Sequence, residues 1–171
     1  MVPVAVITGP VGVGKSTILQ EADALLIDAG VAHASLEIED IARFWGRKPN
    51  ERGNAEIAYR NLAAIWANYR AAGADRLLLS LLMERRSDLD AVRRAVPDAD
   101  FKVIRLHAPL SLIERRLRLR EKTSPQEEVS AAKWWASRLK ASRFADHVVD
   151  NSHRPPREVA VEILRVLGWL D

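Results

Sequence analysis

Apolar residues recur along the chain in two alternating patterns. The short continuous apolar run Val4–Thr8 predicts a central strand that is buried on both faces, and the short stretch Phe101–His107 predicts another strand. Between such runs lie longer stretches in which apolar residues return every three or four positions, as from Ala55 to Ala72, and these predict amphipathic helices. This alternation is typical of an α/β domain with a parallel sheet.

The same reasoning predicts the remaining elements. Further strands are expected at 32–38, 76–84 and 147–149, and further helices at 16–29, 110–120 and from Pro155 onward. Ser87 with Asp90 predicts a capping box for a short helix that ends near Pro97. The polar stretch Glu121–Glu128 predicts a mobile loop, followed by a helix that Trp134 and Trp135 anchor to the body of the protein.

Length and composition limit the classes of protein. A chain of 171 residues fits one domain, so we expect a single domain over residues 1–171. Cysteine is absent, which excludes disulfides and thiolate metal sites. No apolar run reaches the roughly 20 residues of a membrane helix, and the first residues lack a basic leader. We therefore expect a cytoplasmic monomer or homodimer without a membrane partner.

The basic residues are mostly arginine, with 20 Arg against 6 Lys. The planar arginine fork binds phosphate well, although a GC-rich genome would give the same bias. The formal net charge is only +3, so a nucleic-acid partner is not expected from charge alone.

The stretch "GPVGVGKS", Gly9–Ser16, matches the Walker A pattern G-x-x-x-x-G-K-[ST] and lies between a predicted strand and a predicted helix. Glycines let backbone N–H groups converge on phosphate oxygens, and the helix N-terminus points its positive end at the same anion. Lys15 is expected to bridge the β- and γ-phosphates, and the Ser16 hydroxyl to ligate Mg²⁺. The predicted ATP-binding residues are Gly9, Val11, Gly12, Val13, Gly14, Lys15, Ser16 and Thr17.

The sequence lacks the motifs of proteins that use a bound triphosphate as a switch or for hydrolysis. A GTP-dependent switch carries D-x-x-G and N/T-K-x-D, and neither pattern occurs in this chain. The third predicted strand ends in Leu-Met-Glu84 rather than in the aliphatic-Asp ending of hydrolytic ATPases. Phosphoryl transfer to a small acceptor therefore remains as the predicted use of the triphosphate.

The chain resembles, over nearly its whole length, the small P-loop kinases related to nucleoside-monophosphate, shikimate, gluconate and adenylyl-sulfate kinases. The stretches "NLAAIWANYRAAGADRLLL" and "VIRLHAPLSLIERRLRLR" are similar to a group of actinobacterial kinase-like ATPases of unassigned acceptor. The resemblance implies a three-layer P-loop domain with a five-stranded parallel sheet in the order 2-3-1-4-5. It also implies a short lid at about residues 116–135 and the cofactors ATP and Mg²⁺.

These kinases commonly end their second strand with D-x-D, and the matching stretch here is "SLEIEDI". The resemblance implies that Glu37 holds Mg²⁺ through water and that Glu39 accepts the proton of the attacking hydroxyl. Both residues are Glu rather than Asp, and Asp40 follows, so which of the three carboxylates is the base stays open. An acidic cap on the next helix is the structural alternative.

The resemblance also implies a basic helix before the lid and a loop at the adenine edge. Arg116 and Arg120 share a helix face, and the family pattern assigns Arg116 to stacking on adenine and Arg120 to the transferring phosphate. A solvent-facing basic helix is the alternative. "DNSHRPP" matches the adenine-edge loop and contributes Asn151 and Pro156, or it is a plain turn.

Acceptor contacts are expected from the helices after the second strand and from the end of the third strand, at Glu39, Arg43, Arg60 and Glu84. The predicted function is ATP- and Mg²⁺-dependent phosphorylation of a small molecule such as a nucleoside, nucleotide, sugar or antibiotic. Two alternatives stay open: an ATP-binding protein without kinase turnover, and an enzyme similar to polynucleotide 5′-kinases.

Overall fold

The computed structural model describes residues 1–44, 51–120, 125–141 and 144–171. The strands are β1 (Val2–Thr8), β2 (Ala34–Glu37), β3 (Leu77–Ser80), β4 (Ala99–His107) and β5 (His147–Asp150). The helices are α1 (Lys15–Asp28), α2 (Ile38–Ile41), α3 (Glu51–Ala71), α4 (Leu89–Ala95), α5 (Leu110–Arg120), α6 (Pro125–Ala141) and α7 (Pro156–Val166).

The five strands form one parallel sheet in the order β2-β3-β1-β4-β5, which confirms the predicted architecture. β1 is the central strand and pairs with β3 on one side and β4 on the other, with Ile7 opposite Ser80 and Ile104. Glu37 at the end of β2 pairs with Ser80, so the carboxyl ends of three strands meet near the end of β1.

Alternate residues of β1 enter two different cores because successive side chains of a strand point to opposite faces. Ala5 and Ile7 pack with α1, α5, α6 and α7, whereas Val4 and Val6 pack with α3 and α4. Both faces of the sheet are therefore buried, which explains the continuous apolar sequence of β1.

The last helix shows how spacing decides which face of a helix is buried. Val159, Ala160, Ile163 and Leu164 recur at helical spacing and are fully buried against the sheet. Pro156 lies in the first turn, where a missing backbone N–H costs no helical hydrogen bond. α7 also packs against α1, and thereby fixes the helix that begins at the Walker A motif.

Three local predictions are corrected. Residues 125–128 of the expected mobile loop form the first turn of α6, since Pro125 is tolerated at a helix start, while residues 121–124 lie outside the described part of the chain. The helix at 89–95 is preceded by a 3₁₀ turn at Arg86–Asp88. Asp88 precedes this helix, but its carboxylate caps the start of the 3₁₀ turn, where it accepts the backbone N–H groups of Glu84 at 2.8 Å and Arg85 at 3.1 Å.

The prediction that two tryptophans anchor α6 is also wrong for Trp134, which is 49% exposed. The buried contacts of α6 come instead from Val129 and Ala132, which are smaller and face the core. Within the described residues, no helix combines the length and the apolar character needed to cross a membrane.

Candidate active site

The Walker A motif forms a tight loop between β1 and α1. Gly12 and Gly14 adopt φ angles of 80° and 109°, which L side chains rarely adopt. A Cβ atom on Gly12 would lie 2.7 Å from Leu117 Cγ, and one on Gly14 would lie 2.6 Å from Asn151 Nδ2. Glycine is therefore required at both positions by backbone conformation and by space.

A cavity of about 320 Å³ opens above this loop. Nine of the residues predicted to bind ATP line it: Val11, Gly12, Gly14, Lys15, Ser16, Thr17, Arg116, Asn151 and Pro156. The other two predicted loop residues, Gly9 and Val13, are buried, and Val13 packs in the core on the α1 face of the sheet. The N-terminus of α1 points into the cavity, so its partial positive charge is available to an anion.

The Lys15 side chain folds back over the loop that precedes it. Its Nζ donates hydrogen bonds to the carbonyl oxygens of Gly9 at 3.1 Å and Pro10 at 3.4 Å. An ammonium group has three N–H donors on a flexible stem, so Lys15 can turn toward a ligand in the cavity.

Ser16 and Glu37 meet at the carboxyl edge of the sheet. The Ser16 Oγ donates a hydrogen bond of 2.6 Å to Glu37 Oε2. A hydroxyl and a carboxylate side by side are the oxygen ligands that Mg²⁺ prefers, with phosphates and waters completing the shell. The residues present therefore fit a magnesium ion at this point, although no group of three or more metal-binding side chains occurs in the described ranges.

Glu39 is the second residue of α2, and its side chain points toward the loop after β3. Its Oε1 accepts the backbone N–H of Leu82 at 3.2 Å, which holds the carboxylate in place. The Tyr59 phenol lies close enough to this carboxylate for the two groups to interact electrostatically. Burial raises the pKa of Tyr59, and the negative charges of Asp88 and Glu39 raise it further. The phenol therefore stays protonated at neutral pH and can donate a hydrogen bond.

Arg116 and Asn151 both contact the Walker A loop itself. Arg116 donates to the carbonyl oxygens of Val13 at 3.0 Å, Asn151 at 2.9 Å and Ser152 at 3.3 Å. The Asn151 side chain donates from Nδ2 to the same Val13 oxygen at 2.7 Å. The stacking of Arg116 on adenine and the adenine-edge contact of Asn151 stay predictions, and these hydrogen bonds are what the structure places there.

The remaining predicted residues surround the site less closely. Arg43 is paired with Asp40 at 2.8 Å and its side chain is 82% exposed. Arg60 lies on α3 in a groove of about 450 Å³ between α3 and α4. Glu84 follows β3 and forms an ion pair with Arg138 of α6. Arg120 ends α5, and its side chain lies outside the described residues.

Three groups near the site were not predicted from the sequence. They are the Leu82 backbone N–H on Glu39, the Tyr59 phenol, and the Arg138 guanidinium, which also lies 4.5 Å from the centre of the Trp134 ring. A backbone donor leaves no sequence signal. Arg138 lies three residues beyond the predicted lid region of about residues 116–135, on the same helix as Trp134.

The parallel sheet, its strand order and the glycine loop between β1 and α1 define a P-loop NTPase fold of the α/β class. Within that class, the chain is similar in fold to small kinases of known structure. No protein-family model matches it, and no curated protein is significantly similar in sequence.

Three solved structures illustrate the similarity in fold. The tunicamycin resistance protein of Deinococcus radiodurans has a TM-score of 0.68 at 20% identity, over 99% of this chain and 98% of that one. A sugar kinase of a Janibacter species has a TM-score of 0.63 at 22% identity, over 98% and 95% of the two chains. The APS kinase of Mycobacterium tuberculosis, in complex with AMPPNP and APS, has a TM-score of 0.61 at 17% identity, over 97% of each chain.

Proposed function

We propose that this protein is a kinase that transfers the γ-phosphate of ATP, with Mg²⁺, to a small-molecule acceptor. The observation that carries the proposal is the meeting of three groups at one edge of the sheet. The Walker A loop lies beside the Ser16–Glu37 hydrogen bond of 2.6 Å, and Glu39 follows two residues after Glu37. A triphosphate site, a cation site and a carboxylate base are the parts that phosphoryl transfer requires.

On the donor side, the loop amides and the N-terminus of α1 bind the β- and γ-phosphates. Lys15 leaves the carbonyls of Gly9 and Pro10 and adds a positive charge there. Ser16 and Glu37 would hold Mg²⁺, which supplies neutralisation of the charge that develops on the phosphate oxygens. Arg120, at the end of α5, is assigned to neutralising the same phosphate charge from the side of the lid.

On the acceptor side, Glu39 orients the attacking hydroxyl and takes its proton as the bond to phosphorus forms. The Leu82 N–H occupies Oε1 at 3.2 Å, which leaves the other carboxylate oxygen to accept the proton. The phosphoryl group moves to the acceptor oxygen, and ADP leaves with the electron pair of the broken bond. Arg43, Arg60 and Glu84 are assigned to holding the acceptor.

The acceptor is assigned by class as a hydroxyl-bearing molecule, such as a sugar, a nucleoside or nucleotide, or an antibiotic. The similar folds come from proteins whose names refer to a sugar, to APS and to tunicamycin resistance, and these names guide the choice of compounds. The identities of 22% and below leave the choice among them to experiment.

The proposal is tested by a screen of sugars, nucleosides, nucleotides and antibiotics with ATP and Mg²⁺. ADP release is measured together with the mass of each compound. We expect at least one compound to gain one phosphoryl group at a rate above the background hydrolysis of ATP. Binding of ATP without transfer to any member of a broad panel would contradict the proposal and would support a protein that only binds the nucleotide.

A further inference from the structure

The Val13 carbonyl in the Walker A loop receives two side-chain donors that come from distant parts of the chain. Arg116 of α5 donates from Nη1 at 3.0 Å, and Asn151, which follows β5, donates from Nδ2 at 2.7 Å. A carbonyl oxygen has two lone pairs, so these two donors satisfy it. The orientation of this peptide group is thus determined by side chains outside the loop.

Both donors are themselves held in place. Asn151 is only 4% exposed, and its backbone N–H donates to the His107 carbonyl of β4 at 2.7 Å. The second guanidinium nitrogen of Arg116 donates to the carbonyls of Asn151 at 2.9 Å and Ser152 at 3.3 Å. Val13, Arg116 and Asn151 therefore form a closed set of hydrogen bonds, which we call the Val13 clasp.

The Val13 clasp constrains the next residue through the planarity of the peptide bond. In a trans peptide, the N–H of Gly14 points opposite to the C=O of Val13. Because the carbonyl accepts hydrogen bonds from Asn151 and Arg116, the Gly14 N–H points away from these two donors. The Asn151 amide also fills the space beside Gly14, where a Cβ would lie 2.6 Å from Nδ2.

We propose that Asn151 and Arg116 are positioning residues for phosphate binding, which aim the Gly14 N–H at the phosphates by fixing the Val13 carbonyl. This inference rests on the proposed function and deepens it, because it assigns both residues to the phosphates rather than to the adenine. A loop whose donors are already aimed loses less conformational freedom when an anion binds.

The test compares ATP with inorganic tripolyphosphate, which has the phosphates and lacks the base. Dissociation constants are measured by isothermal titration for the wild type, Asn151→Ala and Asn151→Leu, with GTP as a second nucleotide. Asn151→Leu keeps a side chain of similar size and removes the donor without adding a charge beside the phosphates, so it serves if Asn151→Ala fails to fold. Thermal unfolding of each free protein is recorded beside the titrations.

Asn61→Ala is the matched control, because Asn61 Nδ2 also donates to a backbone carbonyl, that of Ile41 at 2.8 Å, which is not part of the Val13 clasp. We expect both Asn151 variants to bind ATP, GTP and tripolyphosphate more weakly by a similar factor of about fivefold or more. The ratio of ATP to GTP affinity should stay unchanged. Asn61→Ala should bind all three ligands like the wild type.

Three results would overturn the inference while leaving the donor site intact. They are a loss of ATP affinity with tripolyphosphate unaffected, a change in the ATP to GTP ratio, or wild-type protein that binds ATP but not tripolyphosphate. Unchanged affinity for all ligands would also overturn it. Wild-type protein that fails to bind ATP at all would contradict the proposed function instead.

Discussion

The two sides of the candidate active site are built in different ways. On the donor side, the Walker A loop is fixed by buried or backbone contacts, with Asn151 only 4% exposed and Arg116 bonded to three carbonyl oxygens. On the acceptor side, the Arg43 side chain is 82% exposed, and its partner among the described residues is Asp40, three residues earlier. The Glu84 side chain forms an ion pair with Arg138 of α6.

This difference follows from what each side binds. Every nucleoside triphosphate presents the same phosphates, so backbone N–H groups on a rigid loop are sufficient for the donor. An acceptor is recognised by its own shape and polar groups, so its contacts must come from side chains of several elements. Changes on the donor side should therefore abolish binding or transfer generally, and changes on the acceptor side should act on transfer more selectively.

Removal of the Lys15 ammonium should have the largest effect. Lys15→Ala removes the positive charge assigned to the β- and γ-phosphates, and we expect transfer to fall by about 1000-fold. The rate of ADP formation with a saturating acceptor measures this. Lys102→Ala on β4, an exposed lysine on the same sheet, is the control and should keep the wild-type rate. Equal rates for the Lys15→Ala variant and the wild type would remove Lys15 from the donor site.

Substitution of the proposed base should come next. Glu39→Gln keeps an oxygen that can accept the Leu82 N–H but cannot take a proton, so we expect transfer to fall by about 100-fold while ATP affinity is retained. Single-turnover transfer and ATP titration separate these effects. Asp40→Asn is the control, since Asp40 is exposed and paired with Arg43. If Asp40→Asn lost transfer and Glu39→Gln did not, Asp40 would be the base.

A matched pair of glycine substitutions tests the loop itself. Gly14 and Gly73 have similar φ angles of 109° and 105°, but a Cβ on Gly73 would meet nothing within 4 Å. Both Gly→Ala variants should lose about 1–2 kcal/mol of unfolding free energy because of the positive φ. Only Gly14→Ala should also lose ATP affinity, by about tenfold or more, because its Cβ would displace Asn151. Equal ATP affinity in the two variants would show that the space beside Gly14 is not critical.

The smallest effect is expected at Asp146, which is assigned to neither side of the site. Burial acts to raise its pKa, but the Val103 N–H at 2.7 Å and the Arg86 guanidinium at 2.9 Å outweigh burial and hold the pKa below its usual value. A depressed folded-state pKa gives stability that is present above the unfolded-state pKa of about 3.9 and is lost as pH falls through the folded-state pKa.

Asp146→Asn should therefore cost about 1 kcal/mol at neutral pH, and the difference from the wild type should narrow below about pH 4. Urea unfolding at several pH values between acid and neutral measures both the cost in unfolding free energy and its change with pH. Asp75→Asn, in an exposed pair with Arg76, should cost less. A difference between Asp146→Asn and the wild type that stayed constant down to acid pH would contradict the assigned cause. Transfer should be unchanged in both variants.

The sequence was sufficient to predict the parts of the molecule that depend on local pattern. The strand at Val4–Thr8, the Walker A loop and the helix at 110–120 follow from a continuous apolar run, glycine spacing and helical periodicity. The strand order 2-3-1-4-5 follows instead from the resemblance to small P-loop kinases, and the structure confirms it. The contacts of Arg116 could not be predicted, because its partners Val13 and Asn151 are 103 and 35 residues away in the chain. Trp134 shows the same limit, since the exposure of a side chain depends on neighbouring elements.

The acceptor side could be predicted only in outline. The D-x-D pattern of the resembling kinases points to Glu39 on this side, as it points to Glu37 on the donor side, where the Ser16 hydroxyl donates a hydrogen bond to Glu37. The Leu82 N–H on Glu39 is a backbone group from an element 43 residues later, and no residue type indicates it.

The central claim is transfer of the γ-phosphate to an acceptor, and a labelling experiment tests it most directly. ATP labelled in the γ-phosphate is mixed with protein, Mg²⁺ and an acceptor from the screen, and the label is followed in the acceptor and in inorganic phosphate. We predict that wild-type protein places the label on the acceptor and that Lys15→Ala places it on neither product. Label found in inorganic phosphate alone, with ATP bound and the whole acceptor panel tried, would contradict the account.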